Sequence, residues 1–122
     1  MKYLMFIKHT EDYRGRPIPQ GLMDAMGKYV TESMKSGVLL ETGGLKPTSD
    51  ACEVRLKDGK ISLVDGPFTE SKEIVGGYAL MKVKSDAEAR ALATEFMELH
   101  RVHWPDFDGS CEVRPLEDFE PA

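Results

Sequence analysis

Over residues 2–8 both alternating sets of side chains are apolar: Tyr3, Met5 and Ile7 on one side, Leu4 and Phe6 on the other. A strand apolar on both faces is a central strand with a layer on each side, so this segment predicts one. Residues 9–19, with Asp12, Gly15, Pro17 and Pro19, read as a loop. From Gln20 to Ser36 the pattern changes period: Met23, Met26, Val30 and Met34 recur at helical spacing, and Gly37 stands where a helix C-cap belongs. The methionine stripe reads as core, because methionine fills irregular gaps. A second strand begins at Val38–Leu40, is interrupted at Gly43-Gly44 and ends at Pro47.

The strongest local signal follows. Cys52, Val54 and Leu56 alternate with Glu53, Arg55 and Lys57; Asp58-Gly59 follows; Ile61 and Leu63 then resume the alternation. Asp-Gly suits the positive φ angles of a type I′ turn, so these residues predict a β-hairpin. Residues 65–73 form a polar connection. Ile74 to Val83 reads as a long strand in which Gly76-Gly77 marks a bulge or a close backbone approach. Ser85-Asp86-Ala87-Glu88 fits a capping box, opening a helix with Ala89, Leu92, Phe96 and Leu99 on one face and Pro105 as its latest stop. Residues 110–116 form a last strand.

The order β-α-β, hairpin, β-α-β predicts a single α+β domain over residues 1–122. Its topology is a ferredoxin-like split β-α-β with an inserted β-hairpin, both helices on one sheet face. The other face is then partly bare, and a second copy related by a two-fold axis is the simplest cover. The expectation is therefore a homodimer with sheets face to face, a dimeric α+β barrel whose interface the hairpin extends or closes.

Composition changes this picture little. The chain is 41% apolar, enough for one core, and 16 Lys and Arg against 21 Asp and Glu leave a net charge of −5. That balance disfavours direct contact with nucleic acid or an anionic membrane. The longest N-terminal apolar run, Tyr3 to Ile7, is five residues, too short for a signal peptide or a membrane span, which makes the cytoplasm the expected location. Cys52 and Cys111 both fall in strands and read as small buried thiols.

Asp65-Gly66-Pro67-Phe68-Thr69-Glu70-Ser71-Lys72-Glu73, with Ile74-Val75-Gly76-Gly77-Tyr78 after it and Glu112-Val113-Arg114-Pro115-Leu116 at the end, resembles the DGPF group of the YCII-related family. The resemblance implies a ferredoxin-like, dimeric α+β barrel. It also implies two contexts for function. More distant family members are thought to use a His/Asp pair in a cleft, with the histidine on the first helix; here residues 20–36 contain no histidine. Genes of the DGPF group often adjoin, or are fused to, extracytoplasmic-function sigma factors, so a sigma factor is an implied partner.

The candidate catalytic residues are Asp65, His9, His100 and His103. A carboxylate beside an imidazole fixes its tautomer and raises its basicity. Phe68, Lys72, Trp104 and Arg114 are candidate ligand contacts. His100 and His103, three apart, would share a helix face, but the sequence shows no strong metal pattern and neither Walker nor GxGxxG spacing, so neither metal nor cofactor is expected. Two readings stay open: a small cofactor-independent enzyme doing acid–base, lyase- or isomerase-like chemistry on a small carbonyl or phenolic compound, or a non-catalytic small-molecule-binding or regulatory module that partners a sigma factor.

Overall fold

A computed structural model describes residues 1–10, 17–68 and 73–117 of the chain. Asp12, Arg14, Gly15, Arg16, Glu70 and Lys72 therefore lie outside the described residues. The elements run β1 (Lys2–His9), α1 (Gln20–Lys35), β2 (Leu39–Gly44), a 3-10 turn (Thr48–Asp50), β3 (Cys52–Lys57), β4 (Lys60–Asp65), β5 (Ile74–Lys82), α2 (Asp86–His103) and β6 (Ser110–Pro115).

Four strands form one antiparallel sheet in the order β2-β5-β1-β6. This is the ferredoxin-like order, and β1 is central as its two-sided apolar pattern requires. Tyr3, Met5 and Ile7 face the helices. Tyr3, Met5, Leu39, Met81, Val83, Ala89 and Ala93 make the core there, with Val30, Leu92 and Val113 packed against it. Ile7 pairs with Gly77 and Lys8 with Val75, so Gly76 is the extra residue of a bulge.

Local chemistry accounts for the element ends. Ser85 Oγ accepts from the Glu88 amide at 3.1 Å, while Glu88 reaches back to accept from the Lys84 amide at 3.0 Å, a displaced form of the reciprocal cap. Asp58 and Gly59 both have positive φ, 51° and 76°, as a type I′ turn demands. β3 and β4 pair only with each other and form a separate two-stranded sheet.

Three expectations need correction. The methionine stripe of α1 faces inward only in its middle: Met26 and Val30 line the interior with Leu22 and Ser33, whereas Met23 and Met34, each one position off Leu22 and Ser33, are 49% and 46% exposed. Adjacent helix positions differ by about 100°, so a stripe displaced by one residue leaves the buried arc. Cys52 is exposed rather than buried, because among the described residues no layer packs on either face of its hairpin; Cys111, on the four-stranded sheet, is half-buried. The break expected at Gly43-Gly44 does not occur, and β2 runs on through both residues.

The turn after β4 is fixed by backbone. The Gly66 amide donates to the Ala51 carbonyl at 2.8 Å, and the Phe68 amide donates to Thr48 Oγ1 at 3.3 Å, which seats Phe68 in a buried position. A Cβ on Gly66 would fall inside 3.0 Å of the Thr48 carbonyl. A clash with backbone cannot be relieved by rotating a side chain. Gly66→Ala should therefore destabilise the fold by about 1–3 kcal/mol. Gly27→Ala, in α1 with nothing within 4 Å of the new carbon, should stabilise it by about 0.5–1 kcal/mol. Urea unfolding midpoints of the two variants, moving in opposite directions, check both.

Candidate functional site

Between α1, α2 and the inner face of the sheet lies a partly open cavity of about 330 Å³. Its walls are mostly aliphatic and sulfur-bearing, from Met5, Ile7, Leu22, Met26, Val30, Met81 and Cys111. One end is aromatic. Tyr29, Phe96, His100, Phe107 and Trp104 follow one another with ring centroids 6.1, 5.0, 5.0 and 5.3 Å apart, and His9 meets the edge of Phe107 at 6.2 Å.

Sequence spacing explains half of this wall. Phe96, His100 and Trp104 are each four apart and stack along the inward side of the end of α2. Phe107 is returned onto them by the turn that follows, where its amide donates to the Trp104 carbonyl at 2.9 Å. Tyr29 comes from α1, and its hydroxyl donates to Glu95 at 2.9 Å; burial first, and that carboxylate second, push the phenol well above its ordinary range.

His9 and His100 are both buried, at 7% and 6% exposure, in walls that carry no carboxylate among the described residues. Each has Nδ1 at a backbone carbonyl: His9 at Thr10, 2.7 Å, and His100 at Phe96, 3.0 Å. A carbonyl can only accept, so both rings carry their proton on Nδ1 and present Nε2 as an acceptor when neutral. Burial, outweighing the Phe96 hydrogen bond, lowers the pKa of His100 and keeps it neutral at pH 7. Burial alone pushes the Cys111 thiol up to about 11, which makes it an inert wall rather than a nucleophile.

The remaining candidates lie elsewhere. Asp65 stands exposed at the end of β4, outside the cavity lining, and no hydrogen bond or ion pair joins it to a histidine. His103 does not share the environment of His100: its Nδ1 lies 3.3 Å from where a Cβ of Gly21 would be, on the flank of α1. Phe68 is buried in its own turn, Trp104 lines the cavity, and Arg114 lies on the opposite face of the sheet with its guanidinium 5.9 Å from the Phe6 ring. Among the described residues no three of His, Cys, Asp or Glu are placed to hold a metal ion. Sequence reasoning missed Phe96 and Tyr29 as site residues and gave Gly76 no part; the four-residue aromatic spacing in α2 was the available signal.

Fold and site together define a small α+β protein of ferredoxin-like topology with an apolar cavity faced by two buried imidazoles. The sequence pattern of the YCII-related domain matches residues 1–99, and the chain belongs to the YCII-related family. An uncharacterized protein of Rhizobium meliloti (strain 1021) is 34% identical over 95 residues, 78% of this chain and 69% of that protein. The match to the family ends one residue before His100, so the His100–Phe107 end of the cavity lies beyond it. No helix among the described residues is long and apolar enough to cross a membrane.

Gly76 is what makes room for His9. A Cβ there would fall inside 3.0 Å of the imidazole at Nε2 and Cδ2. Here the obstacle is a side chain, which can swing away. Gly76→Ala should cost about 1 kcal/mol of stability while moving His9 off Phe107. Loss of the His9–Phe107 ring NOE in an otherwise native spectrum would check it, and an unchanged NOE would refute it.

Proposed function

We propose that this protein binds a small, largely apolar ring compound in the cavity between helices and sheet, and acts on it by proton transfer without a cofactor. The observation that carries this reading is the pair of buried imidazoles in an otherwise apolar, aromatic-ended cavity. A preformed pocket of this size and lining with a few convergent polar groups is what small-molecule sites usually look like. Neutral imidazole is the side chain best matched to proton exchange near pH 7. The substrate class is a carbonyl or phenolic compound, with His9 and His100 in contact with it. Membership of the DGPF group, supported by the Asp65–Phe68 motif, is part of the same proposal; in it that turn serves to anchor the hairpin.

Trp104 is the sole tryptophan and lines the cavity, so its fluorescence reports occupancy. A panel of phenols and ring ketones should include compounds that change the Trp104 emission saturably. Turnover or solvent-deuterium exchange of those compounds, followed by proton NMR, should fall about 100-fold in His100→Phe or His9→Phe. A panel that leaves Trp104 untouched would end the proposal. Saturable binding without turnover would instead favour the ligand-sensing module, with a sigma factor as the partner to test.

We further propose that two copies associate. The outer sheet face carries Leu4, Phe6 and Leu80 beside the Lys8–Glu112–Arg114 charge cluster, with no layer over it among the described residues. On the hairpin, Val54 pairs with Leu63 and Leu56 with Ile61, giving one face four apolar side chains that are 67–74% exposed. Burial of each would contribute roughly 1.5–3 kcal/mol. A two-fold arrangement lets each hairpin lie against its partner's sheet, so both surfaces are covered at once. Sedimentation should give a dimer at micromolar concentration. Leu56→Lys should weaken it at least about tenfold, while Val102→Lys, on exposed α2 surface, should not. A monomeric wild type would refute the proposal.

A further inference from the structure

The cavity distinguishes between hydrogen-bond donors and acceptors, and the geometry of His100 decides which it takes. Its Nδ1 is committed to the Phe96 carbonyl one helical turn back, at 3.0 Å. That bond holds the proton on Nδ1 and leaves Nε2, on the other side of the ring, with only a lone pair. His100 is 6% exposed and lines the cavity, and the hydrogen bond of its ring is the one at Nδ1, so no described residue donates to Nε2. Phe96 and Phe107 flank the ring, each with its centroid 5.0 Å away, so the imidazole is clamped between aromatic neighbours and cannot turn its N–H toward the cavity without breaking the Phe96 bond. An acceptor in a largely apolar wall has few donors within reach, and a ligand that brings one gains a hydrogen bond there.

We propose that the ligand is a flat aromatic hydroxyl compound, a phenol or naphthol, whose neutral O–H donates to His100 Nε2 while its rings lie against Phe107 and Trp104. A ketone, aldehyde or ether of the same shape has only lone pairs to offer and meets Nε2 lone pair to lone pair. A carboxylate has, in addition, no cation in the cavity walls among the described residues to receive it. This rests on the small-molecule reading above and narrows its two substrate classes to one.

The test compares 2-naphthol, 2-methoxynaphthalene and 2-naphthaldehyde, three probes of one shape, by calorimetry and by NMR of the full chain labelled with 15N-histidine. The expected result is that 2-naphthol binds at least about tenfold more tightly than either analogue and moves the His100 Nε2 resonance. In His100→Phe the preference should fall below about twofold while 2-methoxynaphthalene still binds. His100→Gln keeps an acceptor and should retain part of the preference; if neither variant folds, the wild-type ratio and the Nε2 shift decide alone. Equal binding of all three probes, or tighter binding of the aldehyde, would overturn the donor inference and leave the cavity reading standing. Binding of none would overturn both.

Discussion

The structure depends on one constraint: β1 is hydrogen-bonded on both sides. Pairing with β5 and with β6 places the strand at the centre of the antiparallel sheet, so its side chains must point alternately to two faces that both need cover. The helices supply that cover for Tyr3, Met5 and Ile7. The sheet is also bent at the Gly76 bulge, which removes one side chain from the inner layer where His9 arrives. The cavity is therefore a product of the central strand and its irregular partner together. A regular β5 with a side chain at position 76 would occupy the space of the imidazole.

The same constraint explains why the polar groups of the cavity are histidines held by backbone. A buried carboxylate in these apolar walls would lack partners and would strongly resist ionisation. An imidazole is stable there in its neutral form, provided its N–H finds an acceptor. Thr10 and Phe96 supply that acceptor as main-chain carbonyls, the first at the end of β1 and the second on α2. Each ring thus satisfies its Nδ1 donor locally, on a main-chain carbonyl.

The local devices were legible in the sequence because each depends on a few adjacent residues: the Asp58-Gly59 turn, the Ser85 cap, the Gly76 bulge and the two-sided apolar pattern of β1. Less could be read where the answer depends on which layer lies opposite. The methionine spacing in α1 has the right period, but its phase is set by the sheet, and Leu22 rather than Met23 points inward. Cys52 sits in a strand, yet burial follows from cover and not from strand conformation. For the site, His9, His100 and Trp104 could be nominated one by one. Their convergence on Phe107 joins residues from three elements, with some ninety positions between the two histidines, and no spacing rule spans that distance. Asp65 is nominated by its chemistry alone, and no spacing rule reveals that it stands exposed at the end of β4, outside the cavity lining.

The family match divides the residues that line the cavity. The shared pattern covers three of the four strands of the main sheet (β1, β2 and β5), the hairpin, α1 and most of α2. The end of α2 and the turn after it, which supply His100, Trp104 and Phe107, fall outside it. A scaffold that leaves an apolar gap at one end can therefore be given a new ligand preference by changing only the residues that close that end. The polar group of this end is His100 on α2, where the Phe96 carbonyl one turn back fixes its tautomer. An imidazole oriented by a main-chain carbonyl has no carboxylate beside it to stabilise its protonated form. In its neutral form such a ring accepts a hydrogen bond from a ligand hydroxyl, the contact from which a proton transfer would start.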